Sequence, residues 1–232
     1  QGSYSALIIV ETDNGTYNAI VTIDIAKKQV VPSINMTLSS WIYGETAGMA
    51  VMDGIESVPQ ENYKLEYCLQ NTDDCVDTLP VKAGKYSVKL SIFGDNYVSV
   101  GATADFEIKP TMKELKIAAS SSDHEYDGTL YTDNRYTITF DGKEVTNGKL
   151  LYNDIIGNVQ VIGSVTAVED NSENNNVIDR NSLTITNKES YGNIVYVDGT
   201  LKVTPSNTPI TITPKDASKK YDGNKLIATD YE

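Results

Sequence analysis

Gly84-Lys85-Tyr86-Ser87-Val88-Lys89-Leu90-Ser91-Ile92 puts an apolar or aromatic side chain at every second position, Tyr86, Val88, Leu90 and Ile92, with a polar one between. A period of two marks a strand with one buried face, because successive side chains leave the backbone on opposite sides. Tyr4, Ala6, Ile8 and Val10 repeat the alternation, as do Tyr136, Ile138 and Phe140, and then Val159 and Val161. Between the runs stand Asp53-Gly54, Asp141-Gly142, Asn147-Gly148 and Asp198-Gly199, pairs that admit the positive φ of a tight reversal and so predict hairpin turns. No window of about 11 residues or more carries an apolar stripe at helical spacing. The chain therefore predicts an all-β protein, with at most one short helix or 3₁₀ turn per repeat.

The pattern recurs at long range. Ile34 precedes Tyr43-Gly44, Ile117 precedes Tyr126-Asp127-Gly128, and Ile212 precedes Tyr221-Asp222-Gly223, each isoleucine nine residues before its tyrosine. The tyrosines fall 83 and 95 residues apart, beyond the roughly 20–50-residue period of solenoids and close to the size of a small domain. A second order of motifs supports this register. Gly84-Lys85-Tyr86-Ser87 leads through Phe93-Gly94-Asp95-Asn96-Tyr97 to Ala104-Asp105-Phe106-Glu107-Ile108, and Gly2-Ser3-Tyr4-Ser5 leads through Asp13-Asn14-Gly15-Thr16-Tyr17 to Val21-Thr22-Ile23-Asp24-Ile25. Residues 1–29 thus read as the C-terminal half of a preceding repeat, 30–110 and 111–205 as full β domains, and 206–232 as the N-terminal half of a following one. The chain reads as a piece of a longer protein. Boundaries fall at Val31-Pro32, Lys109-Pro110 and Thr204-Pro205, where proline withholds a ladder donor and stiffens the short link.

With 32 acidic and 19 basic residues the net charge is −13. Such a field repels phosphate backbones and anionic lipid heads, which argues against nucleic-acid and membrane-surface partners. No run approaches the ~20 apolar residues of a membrane span. Cys68 and Cys75 flank Leu69-Gln70-Asn71-Thr72-Asp73-Asp74, a polar centre between apolar arms that reads as a hairpin whose sulfurs meet, as an exported protein allows.

Tyr126-Asp127-Gly128, Ala83-Gly84-Lys85-Tyr86 and the closing run Tyr191-Gly192-Asn193-Ile194-Val195-Tyr196-Val197-Asp198-Gly199-Thr200-Leu201-Lys202-Val203-Thr204-Pro205 together resemble the YDG and MBG-type repeats of large bacterial surface proteins and filamentous-haemagglutinin-like adhesins. The segment from Ile210 to Gly223 is the closest local match, whereas the repeat with the cysteines reads Tyr43-Gly44-Glu45. The resemblance implies export, a place in a long cell-surface protein, and a stalk or adhesive role with no catalytic residue set and no cofactor.

The remaining residues add little chemistry. His124 is the only histidine, which excludes multi-histidine metal centres. In Ser121-Ser122-Asp123-His124 adjacent strand residues point to opposite faces and cannot easily build a serine–histidine–aspartate relay. Glu169-Asp170-Asn171-Ser172-Glu173-Asn174-Asn175-Asn176 supplies oxygen ligands suited to Ca²⁺, Asp170 and Glu173 foremost, but lacks the fixed spacing and glycine of a calcium loop, so an extended loop is expected. The tyrosines in register, Tyr43, Tyr126 and Tyr221, are expected to pack. Trp41 either fills a core or stacks on a glycan ring. The expected molecule is a row of small β domains end to end, immunoglobulin-like sandwiches or alternatively β-grasp-like sheets. It is expected to be a non-catalytic stalk or adhesin segment of a bacterial cell surface, contacting neighbouring repeats of its own chain and a host glycan or protein. The alternative is a carbohydrate- or protein-binding module.

Overall fold

The structure, a computed structural model, describes residues 2–27, 34–95, 97 and 100–231. The fold is all-β, and helical residues among those described are confined to five 3₁₀ turns of three residues. The boundary expected at Val31-Pro32 lies outside the described residues, as does Asn96.

The first half builds three sheets. Strands β1 (Gly2–Thr12) and β2 (Gly15–Ile25) form a long antiparallel hairpin in which Thr12 faces Gly15 across Asp13-Asn14. Strand β3 (Asn35–Leu38) pairs β5 (Ala50–Asp53) antiparallel, burying Met36 and Leu38 while Asn35 and Thr37 face out. Strand β4 (Trp41–Ile42) joins β6 (Tyr63–Leu69), β7 (Cys75–Val76), β8 (Gly84–Ile92) and β9 (Gly101–Lys109) in a five-stranded sheet ordered β4-β9-β8-β6-β7. The alternation in β8 comes out as expected, with Val88, Leu90 and Ile92 buried, Val88 opposite Ala104 and Leu90 opposite Ala102, and with Phe106 and Ile108 of β9 buried as well. Each buried aliphatic side chain of this kind contributes roughly 1.5–3 kcal/mol. Cys68 faces Cys75 across β6–β7 and the two are joined as a disulfide, S–S 2.04 Å.

The second half has β10 (Leu115–Ala119), β11 (Ser122–Glu125), β12 (Tyr136–Phe140) and β13 (Lys143–Glu144), then the two-residue strands β14 (Ile156–Gly157), β15 (Val161–Ile162), β16 (Val177–Ile178) and β17 (Thr184–Ile185), and finally β18 (Ile194–Val197) and β19 (Leu201–Thr204). Their sheets are β13-β12-β10-β18, β11-β19, β14-β17 and β15-β16. Of the four predicted reversals, Asp141-Gly142 is a two-residue hairpin between Phe140 and Lys143, both turn residues at positive φ. Asn147-Gly148 instead lies in a 3₁₀ turn, and Asp198-Gly199 separates strands that pair elsewhere, β18 with β10 and β19 with β11. The chain divides into two interleaved compact units, Gln1–Ile117 with Ile138–Val159 and Arg180–Tyr196, and Ala118–Thr137 with Gln160–Asp179 and Val197–Glu232. The first buries Val88, Leu90, Ile108, Leu115 and Ile117. The second buries Val165, Leu201 and Val203, with Tyr131 packed against them.

One arrangement occurs twice. Strand β4 runs parallel to the end of β9, Trp41 opposite Ile108 and Ile42 opposite Lys109, and Tyr43 N–H then donates to Lys109 O at 2.8 Å. Strand β11 runs parallel to β19, His124 opposite Val203 and Glu125 opposite Thr204, and Tyr126 N–H donates to Thr204 O at 2.8 Å. Each acceptor is the residue before a proline, Pro110 or Pro205. The side chains do not repeat with the backbone. Tyr43 is 2% exposed, Tyr126 45% and Tyr221 97%, so the packing expected of all three holds for Tyr43 alone. Ile117 is likewise buried, whereas Ile34 is half-buried and Ile212 exposed. The recurrent tyrosine marks a backbone hydrogen bond, and its ring is buried only where other chain covers it.

Candidate functional site

Asp154, 3% exposed, is a buried carboxylate of the first unit. Its Oδ2 accepts from Tyr43 Oη at 2.6 Å and from Tyr191 Oη at 3.0 Å, and its Oδ1 accepts from Asn187 Nδ2 at 2.7 Å. The segment before it takes an unusual path, with Tyr152 and Asn153 both left-handed at φ 51° and 64°, a conformation that costs a non-glycine residue of order 1 kcal/mol or more. That path brings the Tyr152 ring edge-on to Tyr43, centroids 5.1 Å apart, and Tyr191 packs edge-on from another side at 5.7 Å. Leu151 closes the floor: a Cβ at Gly44, which sits at φ +89°, would fall 2.6 Å from Leu151 Cδ1. Burial pushes the Tyr43 and Tyr191 hydroxyls well above the ordinary tyrosine range, and their bonds to Asp154 add to it. With its oxygens occupied by three donors and buried beneath rings, Asp154 is placed to tie chain segments together. Sequence reasoning passed over it, since nothing in Leu151-Tyr152-Asn153-Asp154 announces a partner 111 residues away.

Trp41 is half-buried, and its ring lies over Phe106 at 5.3 Å and 13°; Phe106 in turn stacks on Tyr86 at 5.5 Å and meets Tyr67 edge-on at 6.2 Å. This four-ring row explains why a tryptophan stands there. Beside it, a groove lined by Ser40, Gln70, Lys85, Asp105, Phe106 and Glu107 runs along β9, with Lys85 opposite Glu107 in the ladder.

His124 stacks on Tyr131 at 4.7 Å and 12°, and its Nε2 lies 3.3 Å from Asp127 Oδ2. Ser122 Oγ donates to Asp133 Oδ2 at 2.8 Å and accepts from Tyr131 Oη at 2.8 Å. Asp133 also takes the Arg135 side chain through Nε and Nη2 at 2.9 and 2.7 Å, and these bonds hold its carboxyl well below the usual carboxylate range. The serine proton is thus directed to Asp133 and no histidine nitrogen is engaged with it, so the arrangement makes no nucleophile relay.

The amide-rich run leaves a 3₁₀ turn, Val168–Asp170, and continues as a loop whose side chains are engaged. Asn171 Nδ2 donates to Val203 O at 2.9 Å while its Oδ1 accepts from Val203 N–H at 2.7 Å. Asn175 does the same to Leu201, at 3.0 and 2.7 Å. Asn176 completes the series through its backbone, which exchanges both bonds with Gly199. Each side-chain amide thereby imitates a peptide unit of a neighbouring strand along β19. Asp170 Oδ2 accepts from the N–H groups of Thr166 and Ala167. Among the described residues no group of three or more His, Cys, Asp or Glu side chains is gathered to hold a metal ion. Among them also, no helix is long and apolar enough to cross a membrane.

No protein-family model and no curated protein matches this chain.

Proposed function

We propose that the chain is a run of YDG/MBG-like tandem β domains, 30–110 and 111–205, of immunoglobulin-like sandwich type, from the extracellular surface of a bacterium. In this reading they serve as a non-catalytic stalk or adhesin segment that spaces or presents a binding region. The observation that carries the reading is the doubled parallel closure, β4 on β9 and β11 on β19. In both, a strand early in the repeat runs beside the last strand in the same direction. Tension applied to the two ends of such a repeat slides the paired strands past one another, so their hydrogen bonds are strained together and not one after another. That suits a segment whose task is to keep its length under pull. The pre-proline acceptors, Lys109 and Thr204, mark the same geometry in both.

Pulling the chain by its ends in a single-molecule force experiment is expected to give two separate ruptures. Tyr126→Pro, which deletes the N–H bonded to Thr204, is expected to weaken one of them, while Tyr126→Ala leaves both. Smooth extension without ruptures overturns the proposal. A second reading, a glycan- or protein-binding module, draws on the half-buried Trp41 at the end of its aromatic row. Glycan-array binding abolished by Trp41→Ala would favour it over a spacer.

A further inference from the structure

The Asp154 cluster crosses the boundary that the sequence draws at Lys109-Pro110. Tyr43 and Gly44 precede that boundary, while Leu151, Tyr152, Asp154, Asn187 and Tyr191 follow it, and all of them lie in the first compact unit. Asp154 Oδ2 accepts the Tyr43 hydroxyl at 2.6 Å, and the Tyr152 ring meets the Tyr43 ring edge-on. Gly44 lies so close to Leu151 that a Cβ there would meet Leu151 Cδ1 at 2.6 Å. From the residue before β8, Ala83 N–H donates to Ser190 Oγ at 3.0 Å across the same boundary.

This seat is fastened to the chain directly behind the clasp. Tyr43 N–H donates to Lys109 O, and a little further on Thr111 N–H donates to Ser190 O at 3.0 Å while Thr111 O accepts from Gly192 N–H at 2.9 Å, so that Thr111 and Tyr191 are parallel neighbours. Thr111, Ser190, Tyr191 and Asp154 are all buried. Tension carried by the β4–β9 ladder therefore leaves through the stretch where Tyr191 is held, and Tyr191 shares Asp154 Oδ2 with Tyr43. For β4 to slide along β9, the Tyr43 ring must leave its slot. Its hydroxyl must also give up a carboxylate acceptor in an enclosed site, where such a bond is costliest to break.

We infer that residues 150–154, with Asn187 and Tyr191, form a socket for the Tyr43-Gly44 turn of the preceding repeat, and that this socket, not the ladder alone, sets how long the Tyr43 clasp lasts under load. The socket rests on the repeat reading above and names a partner within it: the signature of one repeat is gripped by side chains of the repeat after it. It also gives Gly44 a task besides its turn at φ +89°, since a side chain there would strike Leu151 and keep the tyrosine from seating. The left-handed pair Tyr152 and Asn153 has its use in the same place, bending the chain so that Leu151, Tyr152 and Asp154 all reach the incoming turn.

Pulling the full chain by its ends at constant force tests this. The rupture that Tyr126→Pro leaves unchanged belongs to the Tyr43 clasp, and its mean lifetime is the quantity read. Tyr43→Phe, which keeps the ring and removes the hydroxyl, is expected to shorten that lifetime about tenfold and to leave the other within about twofold. Tyr191→Phe and Asp154→Asn change only residues after the boundary, yet each is expected to shorten the same rupture. Tyr43→Phe added to Asp154→Asn is expected to shorten it little further, since both remove one bond. If Tyr191→Phe and Asp154→Asn shorten the Tyr126 rupture instead, the cluster serves its own repeat and the socket is overturned while the repeat reading stands. Unchanged lifetimes in Tyr43→Phe overturn it equally. A parent chain that extends without any rupture overturns the repeat reading itself, and the socket with it.

Discussion

Tyr43 and Tyr126 make the same backbone bond at the same length, to the residue before a proline, at the end of the same kind of parallel ladder. Around Tyr43 the chain supplies Asp154, Leu151, Tyr152 and Tyr191, and the ring is buried; around Tyr126 it supplies Ala167, Val168 and Glu169 along an open groove, and the ring stays half-exposed. The difference teaches that a repeated signature can encode a main-chain clasp while the core around it is assembled separately in each copy.

The largest way to sharpen that contrast is Asp154→Ala, which leaves two buried tyrosine hydroxyls and a half-buried amide without their acceptor. A loss of about 3 kcal/mol or more is expected in urea unfolding, and a variant within ~1 kcal/mol of the parent would show that Asp154 does not hold the cluster. Replacing both Cys68 and Cys75 by serine opens a short loop, sequence separation 7, and is expected to cost about 2.5 kcal/mol. Reducing agent should reproduce that loss in the parent chain and leave the serine variant unchanged.

Alkali tests the cluster around Tyr43. The Tyr43 and Tyr191 hydroxyls titrate higher folded than unfolded, so their contribution is complete below the unfolded tyrosine value of about 10 and is lost as pH rises through the raised one. The urea midpoint should therefore fall above about pH 10, and Tyr43→Phe should flatten that fall. The smallest effect expected is that of Tyr126→Phe at neutral pH, within ~0.5 kcal/mol. A cost like that of a buried tyrosine would break the comparison.

What could be read beforehand followed from local rules. The alternation of Tyr86, Val88, Leu90 and Ile92 marks β8 and its buried face, and the polar turn between Cys68 and Cys75 marks a hairpin narrow enough to be bridged. The spacing of Tyr43 and Tyr126 marked the recurrence of the ladders, though not their parallel sense. The Asp154 cluster was illegible, since it joins residues more than a hundred positions apart through hydrogen bonds that leave no hydropathic period. The asparagine contacts were illegible for a related reason: Asn171 and Asn175 read as loop residues by composition, and only the coordinates set them opposite Val203 and Leu201.

Those two asparagines have a consequence for life in a crowd. A bare strand margin is a template on which a stranger's strand can grow. By closing β19 with side chains in place of a further strand, the protein denies that template to other chains there. Between the two asparagines Asn174 is held as well, its N–H donating to Thr200 Oγ1 at 3.0 Å from a left-handed backbone, so the seal is a fixed stretch of loop and a change at any of these three asparagines would loosen it.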